Sequence, residues 1–168
     1  MKPKSGSIVA GLGAGLAVLA ALGAPPPVRA QDMAGAEATY KDIEATLGAV
    51  PGFFKLFPAV GVAGAWAEFK SIQLNPETRL SGKEKELIGL AVAAQIPCTY
   101  CIYFHTKAAL ANGATAEEVK EAVAMAAITR HWSTVLNGMQ VDLADFSKQT
   151  DELMAMAEKK AAQAGKAK

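Results

Sequence analysis

The dipeptide Ile96-Pro97 constrains this chain more than any other feature. Proline has no backbone N–H and pushes the residue before it out of helical torsions, so a helix entering position 96 must stop or bend there. The stretch before it begins with Ser81-Gly82-Lys83-Glu84, a capping box in which the serine hydroxyl accepts from the third helical amide and the glutamate reaches back to the cap. Leu87, Ile88, Leu90, Ala91, Val92 and Ala94 follow as an apolar helical run. After the proline, residues 98–111 form a second uninterrupted run, closed by Asn112-Gly113. The pattern predicts two helices folded back on each other as an antiparallel hairpin about Pro97.

The remaining pattern is also helical. Residues 34–47 place Tyr40, Ile43 and Leu47 at helical spacing, with Gly48 where a helix takes a left-handed terminal residue. Pro51-Gly52 and Pro58 punctuate Phe53, Phe54 and Phe57, an aromatic stretch expected to pack over the core. A helix over 59–74 carries Val60, Val62, Ala63, Trp66 and Phe69, with Lys70 and Gln73 assigned to its other side. Thr115-Ala116-Glu117-Glu118 is a second capping box, opening a helix whose stripe is Val119, Ala122, Val123, Ala126 and Ala127. Residues 143–156 are more weakly periodic, and 159–168 are polar and alanine-rich, as expected of a flexible tail. No segment alternates with period two, so the fold class is all-α, with one helical domain over 31–158.

Residues 1–30 read as an address. Lys2 and Lys4 precede an uncharged apolar run over 8–24, and Pro25-Pro26-Pro27-Val28-Arg29-Ala30 supplies a small-residue cleavage site before Gln31. The expectation is a cleaved secretory signal and a periplasmic or secreted protein; the alternative is an uncleaved N-terminal membrane anchor. Three of the 17 basic residues (Lys2, Lys4, Arg29) belong to the leader, which leaves 14 against 16 acidic groups in the mature chain. Such a balance offers no broad basic field, and nucleic acid is excluded as a partner.

Chemistry concentrates in Cys98-Thr99-Tyr100-Cys101. Pro97 sets this pair at a helix N-terminus, where about half a positive charge favours a thiolate. His105, four residues after Cys101, projects from the same helix face and can accept the thiol proton. Glu86 stands four and seven residues before Leu90 and Ala93, which puts it on the buried stripe of its helix, unlike Lys83, Glu84 and Lys85. A carboxylate there needs a partner. In the hairpin, Glu86 and His105 differ axially by only about 4 to 5 Å, within reach of a Glu, His, Cys relay.

In these residues the chain resembles the AhpD-like alkylhydroperoxidases of the carboxymuconolactone decarboxylase family. The motif is a Glu, eleven residues, a Cys, two residues, a Cys, three residues and a His, and Glu86, Cys98, Cys101 and His105 fit it without a gap. The resemblance spans 81–138 and includes the Gly113-Ala114-Thr115-Ala116-Glu117-Glu118 helix start. It implies an all-helical fold, a homo-oligomer (trimer or hexamer), and peroxide reduction without metal, haem or other bound cofactor. By the same resemblance, Cys101 attacks the hydroperoxide, Cys98 closes the disulfide, and Glu86 with His105 relays protons. Tyr100 stands where well-studied members often have a histidine within the motif. Cytosolic members draw electrons from a peroxiredoxin and lipoamide system, so an exported relative implies a different, external dithiol or protein reductant.

Other readings of the same residues stay open. A structural Cys98–Cys101 disulfide closes too short a loop to be an effective staple. A c-type haem is excluded because Ile102, not histidine, follows Cys101. Cys98, Cys101, His105 and His131, with Glu86 as a substitute, could form a metal site, making the alternative function that of a metal-binding or dithiol–disulfide partner module. His131 by itself reads as a packed or interface residue, as do Trp66, Phe69, Tyr103, Phe104 and Trp132.

Overall fold

The computed structural model describes residues 28–166. The leader expected over 1–30 lies outside the described residues except for its last three positions. Six α-helices make up the described chain: α1 (Val28–Leu47), α2 (Ala59–Glu68), α3 (Gly82–Gln95), α4 (Thr99–Ala111), α5 (Ala116–Gly138) and α6 (Leu143–Lys166). A 3-10 turn, Gly52–Leu56, precedes α2, and a π-helical turn, Phe69–Gln73, follows it. There is no strand among the described residues, so the fold is all-α.

Two compact units divide the chain, one ending at Trp66 and one starting at Ala67. In the first, α1 ends where Gly48 takes φ +81°, the left-handed region a side chain disfavours. Ala36, Thr39, Ile43, Val62 and Trp66 are buried. The Trp66 indole donates to Asp42 Oδ2 at 2.6 Å, which satisfies a polar tip that burial would otherwise strand. Of the aromatic stretch expected over the core, Phe54 makes an edge-on contact with Trp66, at 5.5 Å between ring centroids. Phe53, Leu56 and Phe57 are exposed, because a single five-residue 3-10 turn cannot aim successive side chains one way.

The second unit is organised by the α3–α4 hairpin, with α5 packed on it. Both capping boxes form. The Ser81 hydroxyl accepts from the Glu84 amide at 3.3 Å while Glu84 Oε2 accepts from the Ser81 amide at 2.7 Å. Thr115 and Glu118 repeat the exchange at 3.1 and 2.7 Å. The Ser81 hydroxyl, which also donates to Glu84 Oε2 at 2.7 Å, and then the Ser81 amide hold the Glu84 carboxyl below the usual range. Glu118 is held down to about 2, chiefly by the Lys83 ammonium 2.8 Å away and then by the Thr115 amide. That ion pair ties the start of α3 to the start of α5.

Small side chains let the three helices approach closely: Ala93, Ala109, Ala114 and Ala126 are buried, as is the larger Leu90, and the Gln95 side-chain amide donates to the Ala126 carbonyl. Gly113, at φ +85°, closes α4 and turns the chain towards Thr115. Beyond Ala126, Ile128, Trp132 and Val135 of α5 are exposed, as are the large apolar residues of α6, which continues as a helix through 159–166.

Candidate active site at the helix hairpin

Glu86 is buried on the same stripe of α3 as Leu90 and Ala93, as its spacing from them requires. It is 4% exposed, so its charge depends on protein partners for stabilisation. Both oxygens have one. His105 Nδ1 lies 2.7 Å from Oε2, and the Gln73 side-chain amide donates to Oε1 at 3.0 Å. A carboxylate only accepts, so in this contact Nδ1 carries the hydrogen and donates, and Nε2 is the nitrogen left to act as acceptor or base.

His105 comes from the middle of α4, across the hairpin from Glu86. Phe104 meets it edge-on at 5.2 Å between centroids, and Phe104 in turn contacts Phe69 at 6.3 Å. On the α3 side the imidazole lies against the backbone at Gly89: a Cβ built there would fall 2.4 Å from Cε1, 2.5 Å from Nδ1 and 2.8 Å from Nε2. The ring occupies space that any side chain at position 89 would take.

Cys98 and Cys101 are joined in a disulfide. Cys98 is the N-cap of α4, a position the sequence placed one residue further into the helix, and its sulfur accepts the Cys101 amide at 3.2 Å as a capping serine oxygen would. Cys101 is the third residue of the helix and His105 follows one turn later, so thiol and imidazole share a face. Both cysteines are half-buried, while Tyr100 between them points into solvent. Tyr103 is also exposed.

The structure thus joins Glu86 directly to His105, and sets Cys98 and Cys101 at the N-terminus of the helix that carries His105. His131 is not brought to them by any contact found; it sits on an exposed part of α5, edge-on to Trp132 at 5.5 Å. Among the described residues no three His, Cys, Asp or Glu side chains converge as a metal ion would require. Two neighbours of the pair, Gln73 and Gly89, went unread in the sequence. Gln73, assigned to the outer side of its helix, follows Phe69 by four residues and Trp66 by seven, and so continues the apolar stripe; its polar side chain hid that signal. Gly89 gave no signal, since helical periodicity does not say which positions face a ring on another helix.

Residues 61–143 match the Carboxymuconolactone decarboxylase family. The crystal structure of the alkylhydroperoxidase AhpD core from Rhodospirillum rubrum is similar, with a TM-score of 0.57 and 26% sequence identity, over 77% of this chain and 95% of that one. No curated protein sequence gives a significant match. The matched segment takes in the whole α3–α4 hairpin with its Glu, Cys, Cys and His, so the likeness to the carboxymuconolactone decarboxylase family lies where the site is, on an AhpD-like fold.

Proposed function

We propose that this protein is an exported thiol peroxidase that reduces hydroperoxides through Cys101 and Cys98. The observation that carries the reading is the buried Glu86–His105 pair, built across a hairpin whose second helix starts with the redox pair. A structural disulfide would need no such pair, and burying a carboxylate against an imidazole beside a redox pair is costly to build, which marks a functional site more than a staple.

In the reduced protein, His105 Nε2 takes the Cys101 thiol proton, and Glu86 stabilises the imidazolium through Nδ1. The Cys101 thiolate attacks the terminal oxygen of the hydroperoxide. The O–O bond breaks, Cys101 becomes a sulfenic acid, and the leaving alkoxide takes its proton from His105 and departs as the alcohol. Cys98 then attacks the Cys101 sulfur and releases water, which forms the disulfide present in the structure. The Cys101 amide at the Cys98 sulfur favours Cys98 as a thiolate for this step. An external dithiol returns two electrons and two protons, and no bound cofactor enters the cycle. We place the protein in the periplasm or outside the cell as a homo-oligomer, on the leader of 1–30 and the outward apolar residues of α5 and α6.

Intact-mass and thiol-trapping measurements on reduced, metal-free protein mixed with one equivalent of an organic hydroperoxide test the chemistry. Wild type should form the Cys98–Cys101 disulfide rapidly, and Cys98→Ser should accumulate a sulfenic acid on Cys101. Cysteines that react no faster than a free thiol in both proteins would refute the peroxidase.

A further inference from the structure

The two groups that hold the Glu86–His105 pair from outside are Gln73 and Gly89. The terminal torsion of a glutamate is soft, so a carboxylate fixed through one oxygen can still swivel. The Gln73 amide removes that freedom by holding Oε1 at 3.0 Å while Oε2 meets Nδ1 at 2.7 Å. Gln73 closes the π-helical turn Phe69–Gln73, and such turns recur where a helix is bent to present a side chain to a site. Gly89 lies one turn after Glu86 on α3 and leaves the imidazole edge against bare backbone, in space that a Cβ would occupy.

We propose that Gln73 and Gly89 are positioning residues: together with Glu86 they hold His105 as a single Nδ1–H tautomer, so that Nε2 is the unprotonated nitrogen of the imidazole. Gln73 orients the carboxylate that accepts from Nδ1, and Gly89 admits the ring to the place where that hydrogen bond can form. The benefit to catalysis rests on the peroxidase reading, but the tautomer does not.

Nitrogen-15 NMR of the reduced protein tests both parts. The chain has two histidines, so a His131→Gln background leaves His105 as the single imidazole in the spectrum. At a pH where the ring is neutral, the background protein should show one protonated nitrogen, Nδ1, and one bare nitrogen, Nε2. Gln73→Met, which keeps the shape and removes the donor, and Gly89→Ala should each give the averaged shifts of two exchanging tautomers. Each should slow Cys101 oxidation by stoichiometric organic hydroperoxide about tenfold, with helical content unchanged. An unaltered Nδ1–H pattern in Gln73→Met overturns the role of Gln73, and in Gly89→Ala that of Gly89. A folding control covers the glycine: with His105→Ala also present, Gly89→Ala should cost no thermal stability, because alanine is the better helix former. Equal destabilisation with the ring absent would show that the imidazole is not what the glycine accommodates. A background protein that ignores hydroperoxide while its tautomer responds to these variants would refute the peroxidase alone and leave the positioning roles intact.

Discussion

Glu86 is the residue on which the proposed chemistry turns, and its placement was legible because its offsets put it on the buried stripe of its helix. Its offsets from Leu90 and Ala93 put it there whatever its charge, and its distance from Pro97 put it level with His105 once the hairpin closed. What could not be read was the far side of the pair. Gln73 reaches Glu86 from a π-helical turn that no propensity announces, and Gly89 matters for a ring carried by another helix. Replacing Glu86 with glutamine keeps size and removes the charge that stabilises an imidazolium. We expect Glu86→Gln to slow Cys101 oxidation by hydroperoxide by about a hundredfold, the lower range of general acid–base contributions. Stopped-flow rates of disulfide formation in reduced protein give the number. An unchanged rate would remove Glu86 from the mechanism.

At the level of elements, start signals were the most legible features. Both capping boxes form between the expected residues, because the hydroxyl, the third amide and the returning carboxylate are all local in sequence. The aromatic stretch before α2 was less legible, since which phenylalanine turns inward depends on a short 3-10 turn and not on a period. Each cap should contribute about 1 kcal/mol, so Ser81→Ala and Thr115→Ala should both lower the midpoint of chemical denaturation by that equivalent. Glu118 adds a pH dependence of determinate sign. Its folded carboxyl is held at about 2, below the ordinary 4.5, by Lys83 and then the Thr115 amide. Its contribution is therefore complete above pH 4.5 and fades as pH falls from there through about 2. Glutamine at 118 can still cap the helix, so the Tm difference between wild type and Glu118→Gln isolates the charge. That difference should be largest near neutrality, close towards pH 2, and narrow in high salt, because Lys83 and Glu118 are partly exposed. A difference independent of pH would show that the Lys83 contact does not depend on charge.

For the molecule as a whole, the outward faces of the last two helices decide how it exists in solution. Met125, Ile128, Trp132 and Val135 recur at helical spacing along the exposed side of α5, with Met139 exposed at its C-cap, and Leu143, Phe146, Leu153, Met154 and Met156 are exposed on α6. A run of apolar residues of this extent is unusual on a lone soluble chain and usual where another chain covers it. Helical periodicity in the sequence could mark these residues as apolar but could not say that they lie outside the core, because it does not distinguish a stripe packed within the chain from one packed between chains. The proposed leader bears on the same question: α1 begins at Val28, and the earliest buried residue described is Ala36, so cleavage before Gln31 would shorten α1 without removing a described core residue. Protein purified after export should therefore begin at Gln31 by mass and sediment as a homo-oligomer. Ile128→Glu and Trp132→Glu put a charge into this exposed apolar face and should each shift the sedimenting species towards the monomer, with helical content kept. Monomeric wild type at micromolar concentration would show that these residues do not join copies of the chain.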